Sequence, residues 1–546
     1  MTIEPTLLPT SATVDEYYAA GFWKKHTLYS IAHAHAAKTP NSVAVRDSLR
    51  ALSWKELIVV IDLFSADLLR NGLLPGDTIF VGAPNRIETV VALLAASRCG
   101  LVCCPSPHRN HTVREIAALC VRGACAAYIH EPGHGADAQG DEILDIISDL
   151  PQLRVVYRLK KGESGAPFEG LNKSDAGELP LPIEDPDTVT YLAFTSGSTG
   201  DPKGVMHSDN TQLVAARGIA EAWAFDKNTI TCSLSPFSHN LGCGTLWTSF
   251  VAGGEFVIHD WPRRQSLLER IEAARVNYLV GVPTHAMDLV GELSSRGINK
   301  YERLKCFRVS AAACPEHVAA ALFDKGIPVQ KGYGMTETNG HQHGLPGDER
   351  EQILRSSGVC CPGYNLAVFD EGNVDKRLQP GELGVVGGKG ASLMLGYFDD
   401  VAASEASLNS DGWFLTGDLG MIDAKGYLCL TGRKKELIVR GGHNINPNFI
   451  EDLALRHAAV RLAAAVPVAD DRLGERVCLA VMFEEETTVE PHEMLSHLAA
   501  EGLSRYDMPE FWLSLTSIPL MPNGKMEKQE IIKRLTEGNL VPEFLD

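Results

Sequence analysis

Apolar residues along this chain follow two alternating periods. In LSWKELIVVIDLFSADLLRNG (52–72) they recur every three or four positions and stop at Gly72, which predicts an amphipathic helix. TIFVGAPN (78–85) is a short apolar run that predicts a strand, RIETVVALLAASRCG (86–100) a helix and LVCCP (101–105) a strand. The alternation continues with a helix over TVREIAALCVRG (112–123) and a strand over AAYIH (126–130). Farther on, helices are expected over 211–224, 266–276 and 317–326, and strands over EFVIHD (255–260), YLVGVP (278–283) and LKCFRVSAA (304–312). Strands alternating with helices predict parallel β-α-β units with both sheet faces covered. Residues 1–28 read as an irregular arm, and 161–187, rich in Gly, Pro, Ser, Asp and Glu, as a connection.

After about Gly358 the character changes. NLAVFD (365–370), GELGVVGG (381–388) and GYLCLTGR (426–433) are short strands punctuated by glycine, which predicts an antiparallel β unit. RKKELIVR (433–440) then marks a boundary, with charge on either side of a short apolar strand. Beyond it lie helical stretches over 448–460 and 493–503 and the apolar strand RVCLAVMF (476–483), enough for a small domain of its own. The expected architecture is therefore α/β. A large N-terminal domain, 1–432, carries αβα layers around parallel sheet plus the antiparallel unit. A small α+β C-terminal domain, 433–546, follows a hinge near 433–436.

Composition narrows the function. At 546 residues the chain exceeds what one core holds. Its 45% hydrophobic and 22% charged residues are those of a globular protein. A net charge of -19 argues against nucleic acid as a partner. The first residues, MTIEPTLLPTSATV, lack the basic-then-apolar order of a secretory signal, and no apolar run approaches the ~20 residues that span a bilayer. The 13 cysteines include no C-x-x-C pair, so reduced buried thiols in a cytoplasmic protein are expected.

Five polar clusters interrupt the pattern. The first is YLAFTSGSTGDPKG (191–204), where an apolar run enters a loop of Thr195, Ser196, Gly197, Ser198, Thr199 and Gly200 and ends on Lys203. Glycine lets backbone N–H groups approach a ligand, and successive N–H groups form an anion-binding concavity. Hydroxyls and a lysine suit phosphate, although Asp201 and Pro202 separate Gly200 from Lys203, unlike the common nucleotide P-loop. The second is KGYGMTETNG (331–340), with a carboxylate between two threonines, suited to a divalent cation shared with phosphates. The third, GWFLTGDLGMID (412–423), carries Asp418, suited to ribose hydroxyls. The fourth is the basic TGRKKELIVRGGHNINP (431–447), and the fifth is MPNGKMEK (521–528) with Lys525. Taken singly, the first is a flexible turn, the second a turn with a capping Thr, the third an Asx-turn and the last a solvated turn lysine.

In this order the five clusters closely resemble the adenylate-forming superfamily of acyl-CoA synthetases, luciferases and peptide-synthetase adenylation domains, over roughly residues 30 to 535. The resemblance implies ATP, Mg²⁺ and coenzyme A. It assigns Thr195, Ser196, Gly197, Ser198, Thr199, Gly200 and Lys203 to the ATP phosphates, and Tyr333, Gly334, Ala312 and Ala313 to adenine. It assigns Thr336 to the α-phosphate, Glu337 to Mg²⁺, Asp418 and Arg433 to ribose, and Lys435 to the hinge. Lys525 would reach the carboxylate and α-phosphate, and Gly441, Gly442, His443 and Asn444 would complete the CoA channel after the C-terminal domain rotates. His239, in PFSHNLGCG, matches a residue gating acyl site from thiol tunnel.

The acyl pocket is expected to include His239, Leu241, Cys243, Val282, Ala311 and Met335, mostly small or apolar, with no basic residue placed for a second carboxylate. Amino-acid-activating members of the resembled superfamily carry an aspartate close to the position of His239, and here Phe237, Ser238, His239 and Asn240 stand instead, which by that resemblance argues against an amino acid. The expected substrate is a neutral monocarboxylic acid, short to medium aliphatic, alicyclic or simple aromatic. The wording PFSHNLG and GYGMTETNG looks most like the acyl-CoA synthetases that include cyclohexanecarboxylate–CoA ligases. Two alternatives stand beside this: loading of a separate carrier protein, and a non-catalytic nucleotide-binding relative. No integral membrane association is expected, and the chain is expected to be a monomer or homodimer.

Overall fold

A computed structural model describes the chain apart from residues 1–3, 8, 163–164, 166, 170, 172–178, 196–201, 262–264, 313, 434–435, 442, 471, 486, 522–524 and 546, and apart from the side chain of Asn444. Among the described residues two sheets dominate the N-terminal part. One has six strands in the order Val155–Arg158, Cys125–His130, Thr78–Gly82, Val102–Cys104, Val189–Thr195 and Lys203–Ser208. The other has nine, with a parallel run from Val43–Arg46 through Glu255–Ile258, Ile230–Ser233, Tyr278–Gly281 and Cys306–Val309 to Val329–Met335. The predicted β-α-β alternation is thus realised. The parallel strands are almost wholly buried, as sheets covered on both faces require.

The sheets are joined by apolar helices. Ile87–Cys99 is buried along its whole length, and Trp54–Arg70 and Asn240–Ala252 pack into the same core through Trp54, Phe64, Trp247 and Phe250. The helix Trp54–Arg70 begins where Ser53 and Glu56 form a reciprocal cap. The predicted antiparallel unit is a four-stranded sheet of Tyr364–Phe369, Gly384–Gly390, Phe414–Ile422 and Leu428–Arg433. The C-terminal part has its own sheet and two apolar clusters, one around Ile450, Leu479 and Met494 and one around Ala464, Val466 and Ile531.

Several expectations change. The N-terminal arm contains a helix, Ser11–Ala19, because Thr10 accepts the N–H of Thr13 and caps it. The run expected as a strand over 278–283 ends at Gly281, and Pro283 opens a helix to Ser295, since proline fits the first helical turn. The stretch after His239 is also helical. Its glycines, Gly242 and Gly244, had masked the pattern.

At the start of the helix Asp209–Ala222, one carboxylate fixes four elements. Asp209 is 1% exposed. It accepts the Leu28 N–H at 2.7 Å, the Ser97 hydroxyl at 2.6 Å and the Thr190 hydroxyl at 2.6 Å. This ties the helices Leu28–Lys38 and Ile87–Cys99 and the strand Val189–Thr195 to the start of the helix Asp209–Ala222. Asp209→Asn, which cannot accept on both arms, is expected to lower the thermal unfolding midpoint, a loss of about 1–3 kcal/mol. An unchanged midpoint would show these bonds to be dispensable.

Candidate active site

The strand Val329–Met335 turns back as Asn339–His343, and the turn between them holds Thr336, Glu337 and Thr338. Gly334 is needed there, because a Cβ would lie 2.0 Å from the Asn339 carbonyl oxygen. Asn339 takes a left-handed φ of 59°, a conformation asparagine tolerates. The turn drives Glu337 inward to 8% exposure. Tyr397 donates to Glu337 Oε1 at 3.0 Å, and Lys203 Nζ sits 4.7 Å over the Tyr397 ring. Burial pushes the Glu337 carboxyl up, while the Tyr397 hydroxyl, Arg433 and Lys203 draw it back. The lysine of the first cluster and the carboxylate of the second are therefore one electrostatic unit.

The third and fourth clusters meet across the antiparallel sheet, where Asp418 and Arg433 are register partners. Arg433 Nε donates to Asp418 Oδ1 at 2.9 Å, and the Tyr333 hydroxyl donates to Oδ2 at 2.5 Å. The loop after Val309 lies beside them, with Ser310 donating to the Gly332 carbonyl at 3.0 Å and Ala311 in a left-handed φ of 68°. Ala312 follows in this loop, partly open.

Lys525 arrives from the far end of the chain. Arg433, Asp418 and Glu436 all act on its charge; burial and Arg433 push its pKa down, and the two carboxylates oppose them. Lys525 in turn is felt by His239, whose pKa burial, Lys525 and His111 lower to about 4. A neutral imidazole thus faces a cationic lysine.

His239 stands at the N-cap position of the helix Asn240–Ala252, and its ring is tilted 36° against His108 with ring centroids 4.6 Å apart. His108 bonds Ser238 Oγ at 2.8 Å, and His111 stands edge-on to it at 4.8 Å. Burial, with His239, lowers the His108 pKa to about 2. Asn240 donates to Asn339 Oδ1 at 3.0 Å, while its own buried oxygen has no partner among the described residues.

Thr195, Lys203, Ala312, Tyr333, Gly334, Thr336, Glu337, Asp418, Arg433, Lys525 and His239 are therefore described, and most converge. Ser196, Gly197, Ser198, Thr199, Gly200, Ala313, Lys435 and Gly442 lie outside the described residues, as does the Asn444 side chain. Of the pocket residues, Leu241 packs against Tyr278, Val280 and Cys306, whereas Met335 packs beside Tyr397. Val282 is fully buried. Cys243 is turned into the core, with its Sγ toward the Phe237 carbonyl at 3.3 Å, and its neighbour Gly244 faces open space instead. Gly441 and His443 sit on the C-terminal unit, where His443 pairs with Asp507 at 2.7 Å. The sequence reading missed Tyr397, Asn240, His108 and His111. Only the H-R-N-H spacing at 108–111, directly after a strand, hinted at the last two.

A divalent cation fits beside Glu337 as one carboxylate shared with substrate phosphates. Among the described residues no group of three or more His, Cys, Asp or Glu could hold a metal by itself. None of the described helices is long and apolar enough to cross a membrane.

The family model for AMP-binding enzymes matches residues 32–398. The chain belongs to the AMP-binding enzyme family. The medium-chain fatty-acid–CoA ligase of Escherichia coli is 27% identical over 95% of this chain and 93% of its own. A salicylyl-CoA synthase / salicylate adenylyltransferase from Streptomyces sp is 28% identical over 95% of each chain. Enterobactin synthase component E of Escherichia coli is 28% identical over 94% of this chain and 95% of its own. The fold matches that of ATP-bound MatB from Rhodopseudomonas palustris with a TM-score of 0.83, at 22% identity, over 94% of this chain and all of that one.

The buried histidines give a pH dependence with a definite sign. His239, His134 and His207 have pKa values lowered to about 4, chiefly by burial. Between pH 4 and the ordinary value near 6.5 these three imidazoles hold more protons in the unfolded chain than in the folded one, so through them stability rises with pH across that window. The unfolding midpoint is expected to fall steadily as pH drops from about 6.5 toward 4. A flat profile there would mean these imidazoles are charged in the folded protein.

Proposed function

We propose that this chain is an acid–thiol ligase that activates a small carboxylic acid with ATP and passes the acyl group to coenzyme A. The observation that carries this reading is the electrostatic coupling of Lys525 to Asp418, Arg433 and His239, although these residues are far apart in the sequence. A carboxylate attacking the α-phosphorus of ATP brings two anions together and expels pyrophosphate. Cations fixed in advance at the point of growing charge favour that step. Lys525 is the cation offered there, Lys203 and the glycine loop hold the leaving phosphates, and Tyr333, Asp418 and Arg433 hold the nucleoside. Glu337 would hold Mg²⁺ together with the substrate phosphates, and the ion would supply further charge neutralisation.

In the second step a thiol attacks the mixed anhydride and AMP leaves. The reading includes a domain boundary at 432/433 and rotation of residues 433–546 about it, which withdraws Lys525 and brings Gly441, Gly442, His443 and Asn444 toward the tunnel. Hinges of this kind are a few residues at element ends. Neutral His239, packed against His108, is suited to gate that tunnel, because an uncharged ring can swing without dragging a counter-ion. Relatives named for medium-chain fatty acids, salicylate and feruloyl groups support a carboxylic acid with an aliphatic or aromatic body. The apolar wall formed by Leu241 and Val280 supports the same body.

Lys525→Ala is expected to slow acid-dependent pyrophosphate release about 100–1,000-fold while ATP binding survives. An unchanged rate would remove Lys525 from the mechanism. With wild type, pyrophosphate release that proceeds to AMP and acyl-CoA only when CoA is added supports the ligase. Acyl-adenylate that persists in the presence of CoA points to a carrier-bound thiol instead.

A further inference from the structure

Arg308 is a buried cation that no described carboxylate neutralises. It lies on the strand Cys306–Val309, between Tyr278–Gly281 and Val329–Met335. Phe307 and Val309 point into the core on one side of the sheet. Side chains alternate along a strand, so Arg308 shares the other face with Cys306, which packs with Tyr278, Val280 and Leu241. That is the face of the expected acyl pocket.

Two glycines make room for the guanidinium. A Cβ at Gly332 would lie 2.8 Å from Arg308 Nη2, and one at Gly340 would lie 2.9 Å from the same atom. Arg308 therefore occupies the space that side chains on two adjoining strands would fill. It is 3% exposed, yet among the described residues Nε has no hydrogen-bond partner, Nη1 reaches Gln330 Oε1 at 3.5 Å, and the guanidinium lies against the Tyr278 hydroxyl. Its other neighbours are uncharged, with His341 and His343 held neutral by burial. Leu241, which packs with Cys306 on this face, belongs to a helix with room beside it. A Cβ on Gly244 would meet nothing within 4 Å, and Gly244 stands one helical turn after Leu241.

An uncompensated buried charge is costly unless something pairs with it. A planar guanidinium with free donors matches a carboxylate in bidentate fashion. We propose that Arg308 sets substrate specificity at the far end of the acyl pocket, and that the acid activated here carries a second carboxylate bound by it. This rests on the ligase reading above and replaces the expectation of a wholly neutral acid.

The test is pyrophosphate release by the full chain with ATP, Mg²⁺ and CoA, on acids matched in skeleton. Hexanoate is set against adipate, benzoate and 4-hydroxybenzoate against isophthalate and terephthalate, and cyclohexanecarboxylate against its 1,4-dicarboxylate. In at least one set the diacid is expected to exceed its neutral partners by about 100-fold or more in kcat/KM. Arg308→Met is expected to erase that preference, chiefly through KM, while turnover of the neutral partner is kept or improved. Its unfolding midpoint should not fall, because a lone buried charge has been exchanged for an apolar side chain. Neutral or hydroxylated acids preferred in every set would overturn the proposal and leave the ligase standing. So would an Arg308→Met that slows both members of a pair alike. Release with none of the acids would overturn the ligase reading and this proposal with it. Should Arg308→Met fail to fold, Arg308→Lys carries the test, since it keeps the charge but loses the bidentate fork and should reduce the diacid preference.

Discussion

Asp418 is the carboxylate on which the site depends. It accepts from Tyr333 and Arg433 at once and acts on the charge of Lys525, so three distant segments of chain converge on two oxygens. A protein with a net charge of -19 has little long-range attraction for a polyanion such as ATP. Its cations must be gathered locally, and each needs a carboxylate to hold it before a ligand arrives. Asp418 does this for Arg433 and Lys525. Glu337, through Tyr397, does it for Lys203.

Other buried polar groups follow a different rule. The histidines around His239 shed their charge rather than find counter-ions, so the packed rings of His239, His108 and His111 can sit near a lysine. Arginine has no such escape, because it stays protonated at any ordinary pH. Arg308 can therefore be relieved only by a partner, which is why a single residue on an inner strand bears on substrate choice.

Much of this was legible along the chain. Apolar periodicity is local, so the helix Trp54–Arg70, the parallel strands and the antiparallel unit after Gly358 could be read from neighbouring residues. The five polar clusters were also legible, because glycine and hydroxyl residues between apolar runs stand out, and their order resembled a known superfamily. The same reading missed the helices at Pro283–Ser295 and Asn240–Ala252, where proline and glycine broke the pattern without breaking the helix.

The amino-acid order by itself determined most of the elements, the class of fold and the polar segments, since each follows from spacing within a few residues. Tertiary structure alone decided which groups face one another. Cys243 and Gly244 are adjacent in sequence, yet one enters the core and the other meets open space. Arg308 reads as an ordinary charge within LKCFRVSAA, and its meaning comes from two glycines on neighbouring strands. Whether a charge is solvated, paired or stranded depends on what the fold brings across from other strands and helices, and that information is not local to any stretch of sequence.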